Sequence, residues 1–282
     1  MQFYKINSYA KINVSLKVLA KLRSKLHKIE SLVSFINLYD EIYVKKINNC
    51  SHKIIFVGKF SNKIPKKNTI SNLLEILDNK KKLKNQKYLI KVKKKVPQKS
   101  GMGGGSMNAS SVFKYLIKHQ NLKMSKKEIL QVASKIGSDV ILGMQNNTPI
   151  IFNNGKIKII NKKVKLFTLL IRPNFGCSTK EIYNGVKFYS KPIFKKNKKI
   201  NLNYKFLSIL ENDLEKYAFK RYPVLNKIKK FMEKLDEILF VNMTGSGSTL
   251  VGYFSSKKDA LNGQKLLKKK YKNYWCILSK TI

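Results

Sequence analysis

The chain has 282 residues, of which 43% are hydrophobic and 11% aromatic, enough apolar material for real cores; global disorder is excluded and two domains are expected rather than one. Lys plus Arg number 59, only Arg23, Arg172 and Arg221 being arginine, against 15 acids, for a net charge of +44. No apolar run nears the ~20 residues of a membrane span, and Cys50, Cys177 and Cys276 stand far apart with no CxxC pair, which argues against a membrane protein, a disulfide framework and a zinc site.

Apolar Ile12, Val14, Leu16 and Val18 alternate with polar Lys11, Asn13, Ser15 and Lys17. A period of two predicts a half-buried strand, with Lys11 and Asn13 on one face. The mostly apolar run Glu30–Asp40 leads into a strand at Asp40–Val44, and another follows at Ser51–Val57. A helix is predicted over Lys66–Leu77. The segment Tyr88–Lys93 alternates as a strand, and Pro97 stops it. Next comes Gly101-Met102-Gly103-Gly104-Gly105-Ser106, after which Ala109, Val112, Phe113 and Leu116 recur with helical spacing.

Ser125-Lys126-Lys127-Glu128 is a capping box whose helix runs to a stop at Gly137, directly before Ser138-Asp139. A strand at Pro149–Phe152 precedes a basic turn over 153–163, where the domain boundary is placed, giving domains 1–158 and 159–282. The second half predicts strands at Lys165–Ile171, Glu237–Met243, Leu250–Phe254 and Trp275–Leu278. Its helices are predicted at Tyr204–Phe219, at Val224–Leu235 and after a Ser256 cap, with a tight turn at Thr244–Ser248. Mixed element order in both halves points to two α+β domains.

Three consecutive glycines let backbone N–H groups approach a ligand without Cβ hindrance, and the helix that follows adds unpaired N–H groups at its positive end. Strand, glycine loop and helix in that order make a phosphate cradle. The same pattern also suits a flexible loop or a tight helix–strand crossing, and it is neither a Walker A loop nor a Rossmann fingerprint. No Asp or Glu lies between Asp78 and Glu128, and Asp139 is the only one between Glu128 and Glu181. Asp139 is therefore the first choice for an acid at such a site; otherwise it caps whatever follows Gly137.

Lys11 and Asn13 offer a cation and an amide, although one lysine among so many is by default a solvated charge. The turn Thr244–Ser248 is a second small-residue loop, or a simple hairpin. Abundant Lys, Asn and Ile together match AT-rich coding, so the charge reads as a lysine-rich surface; its rival is nucleic-acid or anionic-membrane binding. Either way the field attracts phosphates.

Three segments taken together resemble the GHMP kinases, the superfamily of galactokinase, homoserine kinase, mevalonate kinase and phosphomevalonate kinase. They are Ala10-Lys11-Ile12-Asn13, the run from Pro97 to Ala109, and Met243-Thr244-Gly245-Ser246-Gly247-Ser248. Within the superfamily the chain is similar to the branch that phosphorylates the 2-hydroxyl of a cytidine-diphosphate methylerythritol in the non-mevalonate isoprenoid route. That likeness rests on Leu26-His27, Asn72-Leu73, Lys94, Gly137-Ser138-Asp139-Val140, Pro173 to Tyr183, and Asn212-Asp213-Leu214-Glu215.

The resemblance implies a ribosomal-protein-S5-like N-terminal domain and a ferredoxin-like C-terminal domain. It implies ATP and Mg²⁺ as cofactors and a small-molecule substrate, with no membrane and no specific nucleic acid as partner. Asp139 and Lys11 match the family's catalytic pair. Pro97, Gly101, Met102, Gly103, Gly104, Gly105, Ser106 and Asn108 match its ATP-binding loop, Ser106 also reaching Mg²⁺ through the nucleotide, and Asn72 and Lys94 fall near its adenine pocket. Asn13, His27, Thr179, Tyr183 and Gly245 match substrate contacts, with His27 reading the cytosine edge and Tyr183 stacking on the ring.

Three positions depart from the pattern: Lys25-Leu26-His27 replaces Gly-Tyr-His, Ile141 replaces a proline, and Met107 replaces a serine. A cytoplasmic location is expected, and the oligomeric state, monomer or dimer, is left open. The alternatives are another small-molecule kinase of the superfamily, for mevalonate, homoserine or a sugar, and a basic RNA-binding protein of S5-like fold. Three arginines are few for the latter.

Overall fold

The computed structural model describes residues 2–23, 26–145, 148–152, 156–160, 165–194, 200 and 202–282. In chain order the first half runs β1 (Tyr4–Asn13), β2 (Lys17–Lys21), β3 (His27–Ile47), β4 (Lys53–Val57), α1 (Thr69–Asn79), β5 (Lys87–Lys93), α2 (Gly104–His119), α3 (Lys126–Ile136), α4 (Ser138–Gly143), β6 (Thr148–Ile151) and β7 (Ile157–Ile160). The second half runs β8 (Phe167–Arg172), α5 (Thr179–Asn184), α6 (Tyr204–Ser208), α7 (Leu214–Arg221), α8 (Pro223–Met232), β9 (Phe240–Met243), β10 (Leu250–Phe254), α9 (Lys257–Lys270) and β11 (Trp275–Lys280).

Contacts divide the chain into two units. The first comprises Met1–Ala10, Leu38–Gln98 and Gly103–Asn146; the second comprises Lys11–Asn37, Lys99–Met102 and Asn147–Ile282. In the first, the C-terminal half of β3 pairs antiparallel with β5, Glu41 facing Lys93 and Ile47 facing Lys87, and β4 pairs parallel with β5. Alternation along β5 buries Tyr88, Ile90 and Val92. Those residues and Ile42 and Val44 of β3 meet Ile70, Leu73 and Leu77 of α1 and Val112, Phe113 and Leu116 of α2 in one apolar cluster.

The second unit holds a four-stranded antiparallel sheet in the order β11-β8-β10-β9. Leu169 and Ile171 of β8 and Leu250 and Phe254 of β10 pack with Leu225, Ile228 and Met232 of α8 and Ala260 and Leu267 of α9. The N-terminal half of β3 pairs with β2 and, through Ser31 and Leu32, with β6, which turns back antiparallel onto β7. Of the turn expected over 153–163, Ile157–Ile160 is the strand β7, paired with β6, and residues 153–155 and 161–163 lie outside the described residues, as does Lys25.

Helix starts follow local chemistry. Ser125 and Glu128 form the expected capping box of α3, Ser256 caps α9, and Pro223 occupies the first position of α8. Asn68 caps α1, so that helix begins at Thr69 rather than Lys66. The helix expected over Tyr204–Phe219 is two helices. Between them Asn212 turns its side-chain amide onto Met243 O and Gly245 O, at 2.6 and 2.7 Å, and its oxygen accepts from Leu214 N. Asp213 meanwhile accepts from Val18 N and pairs with Lys17. These side-chain partners outcompete helical continuity, which both residues support poorly. The strand expected from Glu237 starts at Phe240, because Glu237 has φ 57° and leaves the extended region.

Candidate active site

In the second unit the three glycine- and lysine-bearing segments converge. Lys11 N donates to Met102 O at 3.2 Å, Asn13 N donates to Thr244 Oγ1 at 3.0 Å, and Thr244 Oγ1 donates to Gly101 O at 3.1 Å. The two loops cross backbone to backbone: a Cβ on Gly101, at φ +76°, would lie 2.0 Å from Thr244 O. Gly245, at φ +55°, faces Gly101 O and accepts the Asn212 amide. The turn at Thr244–Ser248 is thus a hairpin between β9 and β10 that also braces the glycine segment.

Lys11 is 4% exposed, not a solvated charge, and its ammonium donates to Asn13 Oδ1 at 2.6 Å. Asn13 in turn donates to Ser31 Oγ at 2.8 Å, and Ser31 donates to Ser15 O. Lys11 and Asn13 share one face of β1 as the sequence predicts, but both faces are buried rather than one, and the expected strand to Val18 breaks after Asn13 and resumes at Lys17. Ser31 gives no signal of its own and enters only through strand pairing.

His27, the first residue of β3, packs against Tyr183 of α5 with ring centroids 5.0 Å apart and planes at 36°. Burial, and then the nearby Lys21 charge, hold the His27 imidazole below its ordinary pKa. A neutral imidazole offers one N–H donor and one acceptor, the pair needed to read a heterocycle edge. Thr179, at the start of α5, shares a 2.9 Å hydrogen bond with Ser246. Leu26 beside His27 is 67% exposed.

In the first unit, Gly103 takes the cap position of α2 at φ 66° with no side-chain cap, and no acid occupies the first turn. The cap residue thus offers no acceptor to the leading N–H groups, the end of a helix that favours anions. Thr69 of α1 donates to Gly105 O at 2.7 Å, placing the start of α1 against the glycine segment, a contact that no sequence motif marks. Asn72 lies one turn further along α1, and its buried Oδ1 has no hydrogen-bond partner among the described residues. The Lys94 ammonium pairs with buried Asp40, and a Cβ on Gly104 would lie 3.3 Å from it.

Asp139 lies in the first turn of α4, whose cap position is Gly137 rather than Asp139. A Cβ on Gly137 would lie 4.0 Å from Ser106 Oγ, and α4 packs on α2 closely enough that a Cβ on Gly143 would meet Ser110 Oγ. Gly137, two residues before Asp139, therefore lies beside the first turn of α2.

The fold and these segments define a class. The GHMP kinases N terminal domain matches residues 68–154 and the GHMP kinases C terminal domain matches 196–273; the chain belongs to the GHMP kinase family, ATP-dependent small-molecule phosphotransferases. Within that family it is 50% identical over 282 residues to the 4-diphosphocytidyl-2-C-methyl-D-erythritol kinase of Pelagibacter ubique (strain HTCC1062), with all of both chains covered. It is 31% identical over 291 residues to the kinase of the same name from Thermoanaerobacter pseudethanolicus, covering 100% of this chain and 97% of that one. The crystal structure of a 4-(cytidine 5'-diphospho)-2C-methyl-D-erythritol kinase shares the fold with TM-score 0.78 at 19% identity, over 99% of this chain and 100% of that one. Among the described residues no helix is long and apolar enough to cross a membrane.

Proposed function

We propose that the chain transfers the γ-phosphoryl group of ATP to the 2-hydroxyl of 4-diphosphocytidyl-2-C-methyl-D-erythritol, a step of non-mevalonate isoprenoid biosynthesis in the cytoplasm. The observation that carries the choice of substrate is the ring pair His27–Tyr183. A neutral imidazole beside an aromatic face suits a cytosine, and neither mevalonate nor homoserine has a ring to use it.

Phosphoryl transfer is catalysed mainly by positioning and by stabilising charge. The amides at the start of α2, which no cap side chain occupies, fit the β and γ phosphates of this reading. Asn72 and Lys94 stand on the adenine side of this reading. Mg²⁺ would be held by Ser106 together with the nucleotide, and its chemistry is to neutralise phosphate charge. Asp139 accepts the proton of the attacking hydroxyl. Lys11, its ammonium fixed by Asn13, stabilises charge on the group in transfer. Asn13, Thr179 and Gly245 line the alcohol, held by Ser31, Ser246 and Asn212 respectively. Residues 1–158 then carry nucleotide chemistry, and 159–282 complete the substrate side.

The test is ATP consumption with the cytidine substrate against mevalonate, homoserine and galactose. The cytidine substrate is expected to exceed the others in kcat/KM by about 10⁴, because a site built to bond a polar edge rejects compounds lacking it. Faster turnover of mevalonate, or indifference to added CDP as competitor, would overturn the reading.

A further inference from the structure

Asp40 has no role in the chemistry above, yet it gathers four donors in the first unit. It is fully buried, at the point where β3 enters that unit. Its Oδ1 accepts Lys95 N at 2.7 Å and Val96 N at 2.9 Å, and its Oδ2 accepts Asn108 Nδ2 at 3.0 Å and the Lys94 ammonium. Lys94 and Asn108 are themselves 4% and 2% exposed. These donors come from two stretches of chain. Residues 94–96 lead directly into Pro97 and the glycine segment, and Asn108 stands one turn into α2.

Between them sits Gly104. A Cβ there would lie 3.2 Å from Val96 Cγ1 and 3.3 Å from Lys94 Nζ. The first residue of α2 is therefore seated on the side chains and backbone that Asp40 fixes. Electrostatics points the same way. A lysine ammonium beside the positive end of a helix is unfavourable alone, and the Asp40 carboxylate offsets it before any phosphate arrives.

We propose that Asp40 is a positioning residue for nucleotide phosphates. It ties the approach to the glycine segment and the second turn of α2 to one carboxylate, and so sets the direction of the α2 amides. Its loss weakens nucleotide binding and leaves alcohol binding alone. The inference rests on the phosphate role of α2 in the proposed function.

Asp40→Asn keeps an oxygen for the two backbone amides but turns an NH₂ toward Lys94 and Asn108, both donors. The measurements are ADP affinity by calorimetry, KM for each substrate, and Tm. Ile228→Ala, in the core of the other unit, is the stability control. ADP affinity is expected to fall about tenfold or more in Asp40→Asn, with the alcohol KM within about twofold, because small misplacements of a positioning group are amplified in this way. A loss of Tm like that of Ile228→Ala with ADP affinity unchanged would overturn the proposal.

If Asp40→Asn does not fold, Asp40→Glu decides, since it keeps the charge beside Lys94 and displaces the carboxylate from the two backbone amides. An approximately threefold loss of ADP affinity supports the proposal, and none refutes it. Wild-type protein that binds ADP but phosphorylates no alcohol would sink the substrate assignment, while the ADP comparison would still judge Asp40.

Discussion

At the scale of single residues, Asp139 and His27 carry separable expectations. Asp139→Asn removes the proton acceptor while keeping the size and the α4 geometry. Turnover should fall by about 10³, in the range for loss of a general base, with ADP affinity within about threefold; single-turnover kinetics beside calorimetry reads both, and near-normal turnover eliminates Asp139 as the base. His27 has its pKa lowered by burial and by Lys21. Its folded state resists protonation, so its contribution to stability is complete above the ordinary value of 6.5 and is lost as pH falls below it. Protonation also replaces the ring acceptor by a donor. KM for the cytidine substrate should therefore stay flat near pH 8 and rise only at pH below the ordinary imidazole value of 6.5, with a flat profile in His27→Asn. A wild-type KM that does not change across that range would remove His27 from base recognition.

The single-residue picture also shows what sequence can reveal. Lys11 and Asn13 were legible because strand period alone puts them on one face. Asp139 stands out in the sequence because acids are scarce around it. The long-range partners are not marked by any local pattern: Ser31 holds Asn13, Asp40 holds residues 94–96 and Asn108, and the Thr69 hydroxyl holds Gly105, each across a long sequence separation.

At the scale of elements, regular segments were readable and bound ones were not. Capping boxes, β5 alternation and the helix after the glycines follow from local chemistry. The break between α6 and α7 does not, since Asn212 and Asp213 leave the helix for partners in β9, the turn after it and β2. The segment after α5 behaves likewise. Tyr217 OH accepts Lys187 N and Phe188 N, Ser190 N donates to Val18 O, and fully buried Glu30 accepts Ile193 N at 2.6 Å and Phe194 N at 3.2 Å. Glu30 lies three residues from His27 on β3, so this segment is tied to the strand that bears half of the ring pair, while α5 bears the other half. Glu30→Ala unties it. KM for the cytidine substrate should rise about tenfold with KM for ATP within twofold, whereas Glu30→Gln, which keeps an acceptor oxygen, should stay near wild type. Equal increases in both KM values would show a general loss of structure instead.

At the scale of the whole molecule, the excess of 44 positive charges has a kinetic consequence that does not depend on any one lysine. Both proposed substrates are polyanions, and a field of one sign raises their rate of encounter without strengthening any contact. Much of this field is diffuse. Lys91 and Lys93 stand exposed on alternate positions of β5, and Lys268, Lys269 and Lys270 crowd the last turn of α9, where the helix dipole favours cations. Raising ionic strength from about 20 mM to about 500 mM shortens the screening length from about 20 Å to about 4 Å. That removes the steering and leaves contacts inside the site largely intact. The expected result is a fall in kcat/KM of about tenfold for the cytidine substrate, with kcat changed less than twofold. Buried Lys11 should not contribute to the salt effect, because it is shielded by Asn13 and the strands around it. A kcat/KM independent of salt would mean that the lysines reflect coding composition alone and that binding is controlled within the site; a kcat falling in parallel would place the salt-sensitive charges at the transferring phosphate.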